Sequence, residues 1–149
     1  MAGVNVEVRL SGDKKLLAAL DRLISRAQNL RPVYSDIAEY LLLSHDERWD
    51  KQESSDGKPW KPLSDSYKNS KRKKKSRGSD KILVLDTFLK SGLRYNASHK
   101  GLEFGTDKVY GATHQFGDSS RNIPARPFLG ISQKDEVEIL DIISDWLNK

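Results

Sequence analysis

The residues with the most chemical potential lie in Ser44-His45-Asp46-Glu47-Arg48-Trp49, where an imidazole stands beside two carboxylates and follows a serine. Such a set suits a metal ion or acid–base work if its side chains converge. On a helix, adjacent positions point about 100° apart, so His45, Asp46 and Glu47 diverge. Recognised helical metal ligands stand instead at i,i+3 or i,i+4. The triple therefore reads as a surface helix face. The other two histidines, His99 and His114, fall in a hairpin turn and in a compact aromatic element. A serine hydrolase needs a nucleophile, a histidine and an orienting carboxylate, and no histidine here lies in a nucleophile element such as Gly-x-Ser-x-Gly. The sequence has no phosphate-cradling glycine loop and no zinc-type spacing. It has no cysteine, which removes thiolate ligands, a cysteine nucleophile and a disulfide frame together, and suits a reducing cytoplasm. The expectation is a protein that is not an enzyme, without catalytic, cofactor-binding or metal-binding residues and without cofactors.

Charge points to binding rather than catalysis. The formal net charge is +5, yet seven of the 26 basic side chains lie in one acid-free block: Lys68, Lys71, Arg72, Lys73, Lys74, Lys75 and Arg77. The remaining 19 face 21 acidic side chains, so the basicity is local. Like-charge runs repel themselves and favour a solvated, flexible loop, expected here at about 65–79. Its functional alternative is contact with phosphates or with an acidic partner surface. No run of eighteen apolar residues suggests a membrane span, and the alternation Val4, Val6, Val8, Leu10 is unlike a signal peptide.

Positioning these groups requires an α+β fold, and 149 residues make one domain of ordinary size. Val4 to Leu10 alternates as a strand with one buried face. Asp13 caps a helix to about Gln28 whose Leu16, Leu17, Leu20, Leu23, Ile24 and Ala27 form one stripe. Pro32 opens a second helix reaching about Gln52, with an apolar face of Ile37, Ala38, Leu41, Leu42, His45 and Trp49. These two make a long helical hairpin against a small antiparallel sheet. Glu53 to Leu63 is a loop, with Asp56-Gly57 as a turn and Trp60 held between Pro59 and Pro62. Trp60 is read as a structural clasp onto its own subunit, with presentation to a partner as the alternative. After the basic block, Asp86 or Thr87 caps a brief helix. Gly92 to Ser98 and Gly101 to Thr106 form a hairpin, with the first strand as a third member. Tyr110 to Phe116 is a short helical turn, and Phe128 to Ile131 a last strand. Ser132-Gln-Lys-Asp135 has capping-box spacing and opens a C-terminal amphipathic helix through Val137, Ile139, Leu140, Ile142, Ile143, Trp146 and Leu147.

The most distinctive stretch runs from Tyr110 to Gly130. Tyr110, Gly111, His114, Gln115, Phe116 and Gly117 are followed by Ile123, Pro124, Ala125, Arg126, Pro127, Phe128, Leu129 and Gly130. Two fixed-φ prolines hold Ile123 and Arg126 extended and make a rigid strap. This resembles the phage virion morphogenesis family, the tail completion proteins of Mu-like and P2-like phages, in its Tyr-Ala-x-x-His-Gln-Phe-Gly and Ile-Pro-Ala-Arg-Pro-Phe-Leu-Gly elements. Asp56, Gly57, Trp60, Pro62 and Leu63 match a further family element, while Phe88 stands where the family has glycine. The resemblance implies a virion protein, assembled in the host cytoplasm, that forms a ring of six copies. Such a ring completes the tail or neck at the head–tail junction. Its partners are other copies and tail terminator, tube or connector proteins, while the lysine loops gathered in such a ring would face either genomic DNA in the lumen or an acidic neighbour. Tyr110, His114, Gln115, Phe116, Arg126 and Phe128 are the expected inter-subunit contacts, the last two because rigid segments bearing arginine and phenylalanine suit interface cores; the alternative is that Phe128 is a core residue and Arg126 caps a helix C-terminus or pairs within the subunit. The alternative is a small nucleic-acid-binding module acting through the lysine-rich loop.

Overall fold

The computed structural model describes residues 5–7, 14, 18, 21–22, 29–73, 81–83 and 88–148. The long helix α1 spans Arg31–Lys51. Pro32 sits in its first turn, where a missing N–H is harmless, and Gln52 closes it in the left-handed conformation with φ 56°. Val33, Ile37, Leu41, Ser44, His45, Arg48 and Trp49 recur at three- and four-residue spacing and are all buried. His45 therefore belongs to the inward stripe and not to a surface face. Asp46 and Glu47 alone point outward, as the helical rotation requires.

The sheet has three antiparallel strands in the order β1-β3-β2: β1 (Asn5–Glu7), β2 (Leu93–Ala97) and β3 (Leu102–Thr106). Phe104 of the central strand is paired with Val6 and Tyr95, and its buried ring meets His45 of α1 at 4.8 Å. The fold is α+β, with α1 laid against β2 and β3 and against the C-terminal helix α5 (Gln133–Leu147). The expected first helix lies almost wholly outside the described residues. Lys14, Ala18, Asp21 and Arg22 are helical and exposed. The proposed caps Asp86 and Thr87 also lie outside them, ahead of the short helix α3 (Phe88–Ser91).

Two expectations need correction. Asp65–Lys73 is a helix, α2, and not a loop. The Ser64 side chain accepts from the Tyr67 amide at 3.3 Å, Asp65 occupies the first turn, and lysine and arginine are good helix formers. Lys68, Lys71, Arg72 and Lys73 thus stand on a helix, while Lys74, Lys75 and Arg77 lie outside the described residues. Phe128 to Ile131 is not a strand. Its backbone groups are taken by side chains of the flanking helices, which leaves no ladder to form.

Ser132 and Asp135 make the expected capping box at the start of α5. Of the apolar residues on that helix, Ile139 and Ile143 enter the core. Ile142, Trp146 and Leu147 pack at its edge, whereas Val137 and Leu140 remain exposed.

Candidate assembly surface

The helix α4 (Tyr110–Phe116) and the strap after it are joined by the backbone. The His114 carbonyl accepts from the Arg126 amide at 2.7 Å. Gln115 acts as a splint: its Oε1 accepts from the Phe128 and Leu129 amides, both at 3.0 Å, and its Nε2 donates to the Leu129 carbonyl at 3.1 Å. Between helix and strap the chain turns at Gly117, with φ 77° and ψ 172°, a region essentially closed to other residues. A Cβ there would lie 2.7 Å from the Ala125 nitrogen. Gly117→Ala should therefore lower stability by at least about 1–3 kcal/mol, read as a lower melting temperature. Gly57→Ala, also at positive φ but with open space around it, should lose less.

Arg126 and Phe128, expected between subunits, are used inside one. Phe128 is buried against Trp49, with ring centroids 5.2 Å apart. Arg126 is buried and donates to the Lys61 carbonyl at 2.7 Å and the Pro62 carbonyl at 3.1 Å. Proline locks the strap so that alternate side chains face the core, and the guanidinium finds carbonyls of the Trp60 loop there. Trp60 lies on the same seam, buried, edge-on to Trp49 at 5.4 Å, its indole N–H donating to the Pro127 carbonyl at 2.8 Å.

What α4 leaves outside is apolar. Val109 and Phe116 are 73% and 72% exposed and, seven residues apart, lie on one side of the helix. Tyr110 beside them is 40% exposed, its ring edge-on to His114. His114 is half-buried. Burial, then the nearby Arg126 and Arg121 charges, holds its imidazole below the ordinary range. It stays neutral and adds no charge to the patch.

Behind the strap is a polar network that sequence reasoning missed. Asp135 accepts from Arg48 Nη1 at 2.6 Å, from Tyr40 at 2.9 Å, from the Ser44 hydroxyl and from the Ser132 amide. Arg48 Nη2 donates to the Gly130 carbonyl at 2.7 Å. His45 Nδ1 lies 2.7 Å from the Leu41 carbonyl, which can only accept, so Nδ1 carries the proton. Nε2 then accepts from Arg48 at 3.1 Å and from the Gly130 amide at 3.3 Å. Serine, histidine and aspartate are together, but the histidine does not stand between the other two, so the serine is not activated. The network fastens α1, the strap and α5. Its only sequence signals were the spacing Ser44-x-x-x-Arg48 and the inward turn of a capping-box aspartate.

Its titration gives a testable pH dependence. Burial and then the Arg48 charge push His45 down to about 4, against an ordinary value of 6.5. Burial tends to raise Asp135, but hydrogen bonds from Ser132, Ser44, Arg48 and Tyr40 outweigh it and bring it down to about 2. The unfolded chain binds a proton at position 45 below pH 6.5, and the native chain does not until about 4. Stability is thus full above pH 6.5 and falls by about 3 kcal/mol on the way to pH 4. Asp135 removes more as pH falls from about 4 to 2. Urea midpoints should decline through this whole range, and a flat profile between pH 6.5 and 4 would contradict the neutral-histidine assignment.

Among the described residues no group of three histidine, cysteine or carboxylate side chains could hold a metal ion, and no helix is long and apolar enough to cross a membrane. The chain matches the phage virion morphogenesis family over residues 12–148 and belongs to it. It is 28% identical over 137 residues to the putative capsid assembly protein G of Escherichia phage Mu, covering 87% of this chain and 86% of that protein. It is 26% identical over 147 residues to the Mu-like prophage FluMu G protein 2 of Haemophilus influenzae, covering 95% of both. An uncharacterised protein of Methanocaldococcus jannaschii is 34% identical over 73 residues, so the chain spans about half, 53%, of that relative's length. No solved structure matches it.

Proposed function

We propose that this protein is a ring-forming structural subunit, hexameric, that completes the tail or neck at the head–tail junction of a phage particle. The carrying observation is the exposed apolar face of Val109, Tyr110 and Phe116, set on the element that bears the family resemblance and braced from behind by Gln115. Aromatic side chains held on a rigid backing make good interface anchors. Subunits assemble in the host cytoplasm, enter the virion, and meet tail terminator, tube or connector proteins. The protein is not an enzyme, and needs neither a cofactor nor a membrane. Phe116→Asp should convert the assembled species to single subunits without lowering the melting temperature. Unchanged assembly would remove α4 from the interface.

The second reading, a nucleic-acid-binding module, is favoured by one observation: Lys68, Lys71, Arg72 and Lys73 stand on the helix α2. Phosphate contacts would make DNA affinity fall steeply with salt. Neutralising Lys71 to Lys75 should leave the melting temperature within the range of surface substitutions, about 0.5 kcal/mol. A larger loss would make the block part of the folded core.

A further inference from the structure

Side chains of two helices grip one tripeptide of the strap, Phe128-Leu129-Gly130. Gln115 of α4 holds the Phe128 and Leu129 amides and the Leu129 carbonyl. From α1, His45 Nε2 accepts from the Gly130 amide at 3.3 Å, and Arg48 Nη2 donates to the Gly130 carbonyl at 2.7 Å. The hold on the Gly130 amide depends on an unprotonated nitrogen. His45 Nδ1 is committed to the Leu41 carbonyl, so a second proton can settle only on Nε2, where the Arg48 and Gly130 N–H groups already point. Three donors would then meet in the core without an acceptor. Arg48 is fixed to Asp135 at 2.6 Å and to Ser44 at 3.0 Å. Gly130, on the longer bond, is the member that yields. The charges facing His45 are Arg48 from its own helix and Asp135 from α5; the strap presents the Gly130 amide, and β3 the Phe104 ring. Each Asp135 oxygen already accepts twice, from Tyr40 and Ser44 and from Arg48 and the Ser132 amide, so it has no place for an imidazolium.

We propose that protonation of His45 releases Gly130 and, through the shared tripeptide, loosens α4, so that acid opens the strap and weakens assembly through the Val109, Tyr110 and Phe116 face while the sheet stays folded. The link to assembly rests on the ring reading above; the opening of the strap does not. Opening exposes His45 and returns it toward its ordinary 6.5, whereas burial holds it near 4 in the closed form. Opening therefore takes up a proton and is favoured as pH falls. Between those two values the opening constant rises by up to about tenfold per pH unit. At neutral pH the strap is closed, which is the state that presents α4 on a rigid backing.

The test is amide exchange across pH 6.5 to 4 on the Phe116→Asp variant, which separates the strap from assembly, beside the same variant carrying His45→Gln, whose side-chain oxygen accepts without titrating. Protection of the Phe128, Leu129 and Gly130 amides should fall by up to about tenfold per pH unit relative to the amides of β3, and should hold steady with glutamine at position 45. A parallel loss in β3, or the same loss in His45→Gln, overturns the proposal. The imidazole resonances of His45, followed in the same samples, keep it falsifiable if the glutamine variant does not fold: a strap that opens while His45 stays neutral overturns it as well. Sedimentation of the wild-type chain reads the link to assembly. Its mass should shift reversibly toward that of single subunits, 16.9 kDa, as pH falls from 6.5 to 4, and His45→Gln should stay assembled. Assembly that persists while the strap opens overturns the link to α4 and leaves the opening intact. A wild-type single subunit at every pH overturns the ring reading and that link together, without touching the exchange result.

Discussion

Replacing Asp135 with alanine lowers the unfolding free energy by about 3–5 kcal/mol, the usual consequence of stripping a buried ion pair of one partner. The cost arises from what is left behind. Arg48, buried, keeps its charge but loses the carboxylate at 2.6 Å, and Tyr40 and Ser44 lose their acceptor. The start of α5 loses its capping box as well, a further destabilisation of the same sign. Equilibrium urea unfolding at pH 7 checks this. The double variant Arg48→Met/Asp135→Leu should recover part of the loss, because an apolar pair leaves no stranded charge. It should not restore the strap, whose Gly130 carbonyl would still lack the Arg48 donor. Hydrogen exchange at residues 128–131 would then be faster than in the wild type, while the sheet stays protected.

Trp60→Ala should cost about 3–5 kcal/mol. The indole is buried between Trp49 and the strap, and its N–H is satisfied by the Pro127 carbonyl. Removing it opens a cavity beneath Phe128 and frees the one direct bond from the loop's tryptophan to the strap. Trp60→Phe keeps most of the apolar contact and loses only the hydrogen bond, so its loss should be nearer 1–2 kcal/mol. An unchanged melting temperature for Trp60→Ala, together with failed assembly, would make this residue a partner anchor instead.

Helix periodicity was legible: Pro32, the inward stripe of α1 and the Ser132–Asp135 capping box each stand where local chemistry placed them. The hairpin of β2 and β3 followed from its glycines and spacing. The misreadings share a cause. His45 carries two signals, its carboxylate neighbours that suggest a surface face and its place on the apolar stripe of α1, and the stripe decides: the side chain is inside, where burial suits a neutral imidazole. Arg126 and Phe128 were assigned by the residue types common at interfaces, but those types also fill cores when a carbonyl or an aromatic neighbour is in reach. The α2 helix was hidden because charge repulsion argues for a loop while propensity argues for a helix, and a Ser64 cap tips the balance. The link from Arg48 to Asp135 spans 87 residues, and no local pattern encodes such a partner.

We propose that the subunit builds a closed assembly with its own copies. The most direct test is sedimentation of nuclease-treated wild-type protein across a concentration series, with negative-stain images of the peak. Such an assembly should sediment as a species of several subunits, annular in projection, that persists without nucleic acid and dissociates when Phe116 is replaced by aspartate. A 16.9 kDa monomer at every concentration, binding DNA with an affinity that falls steeply with salt, would contradict it.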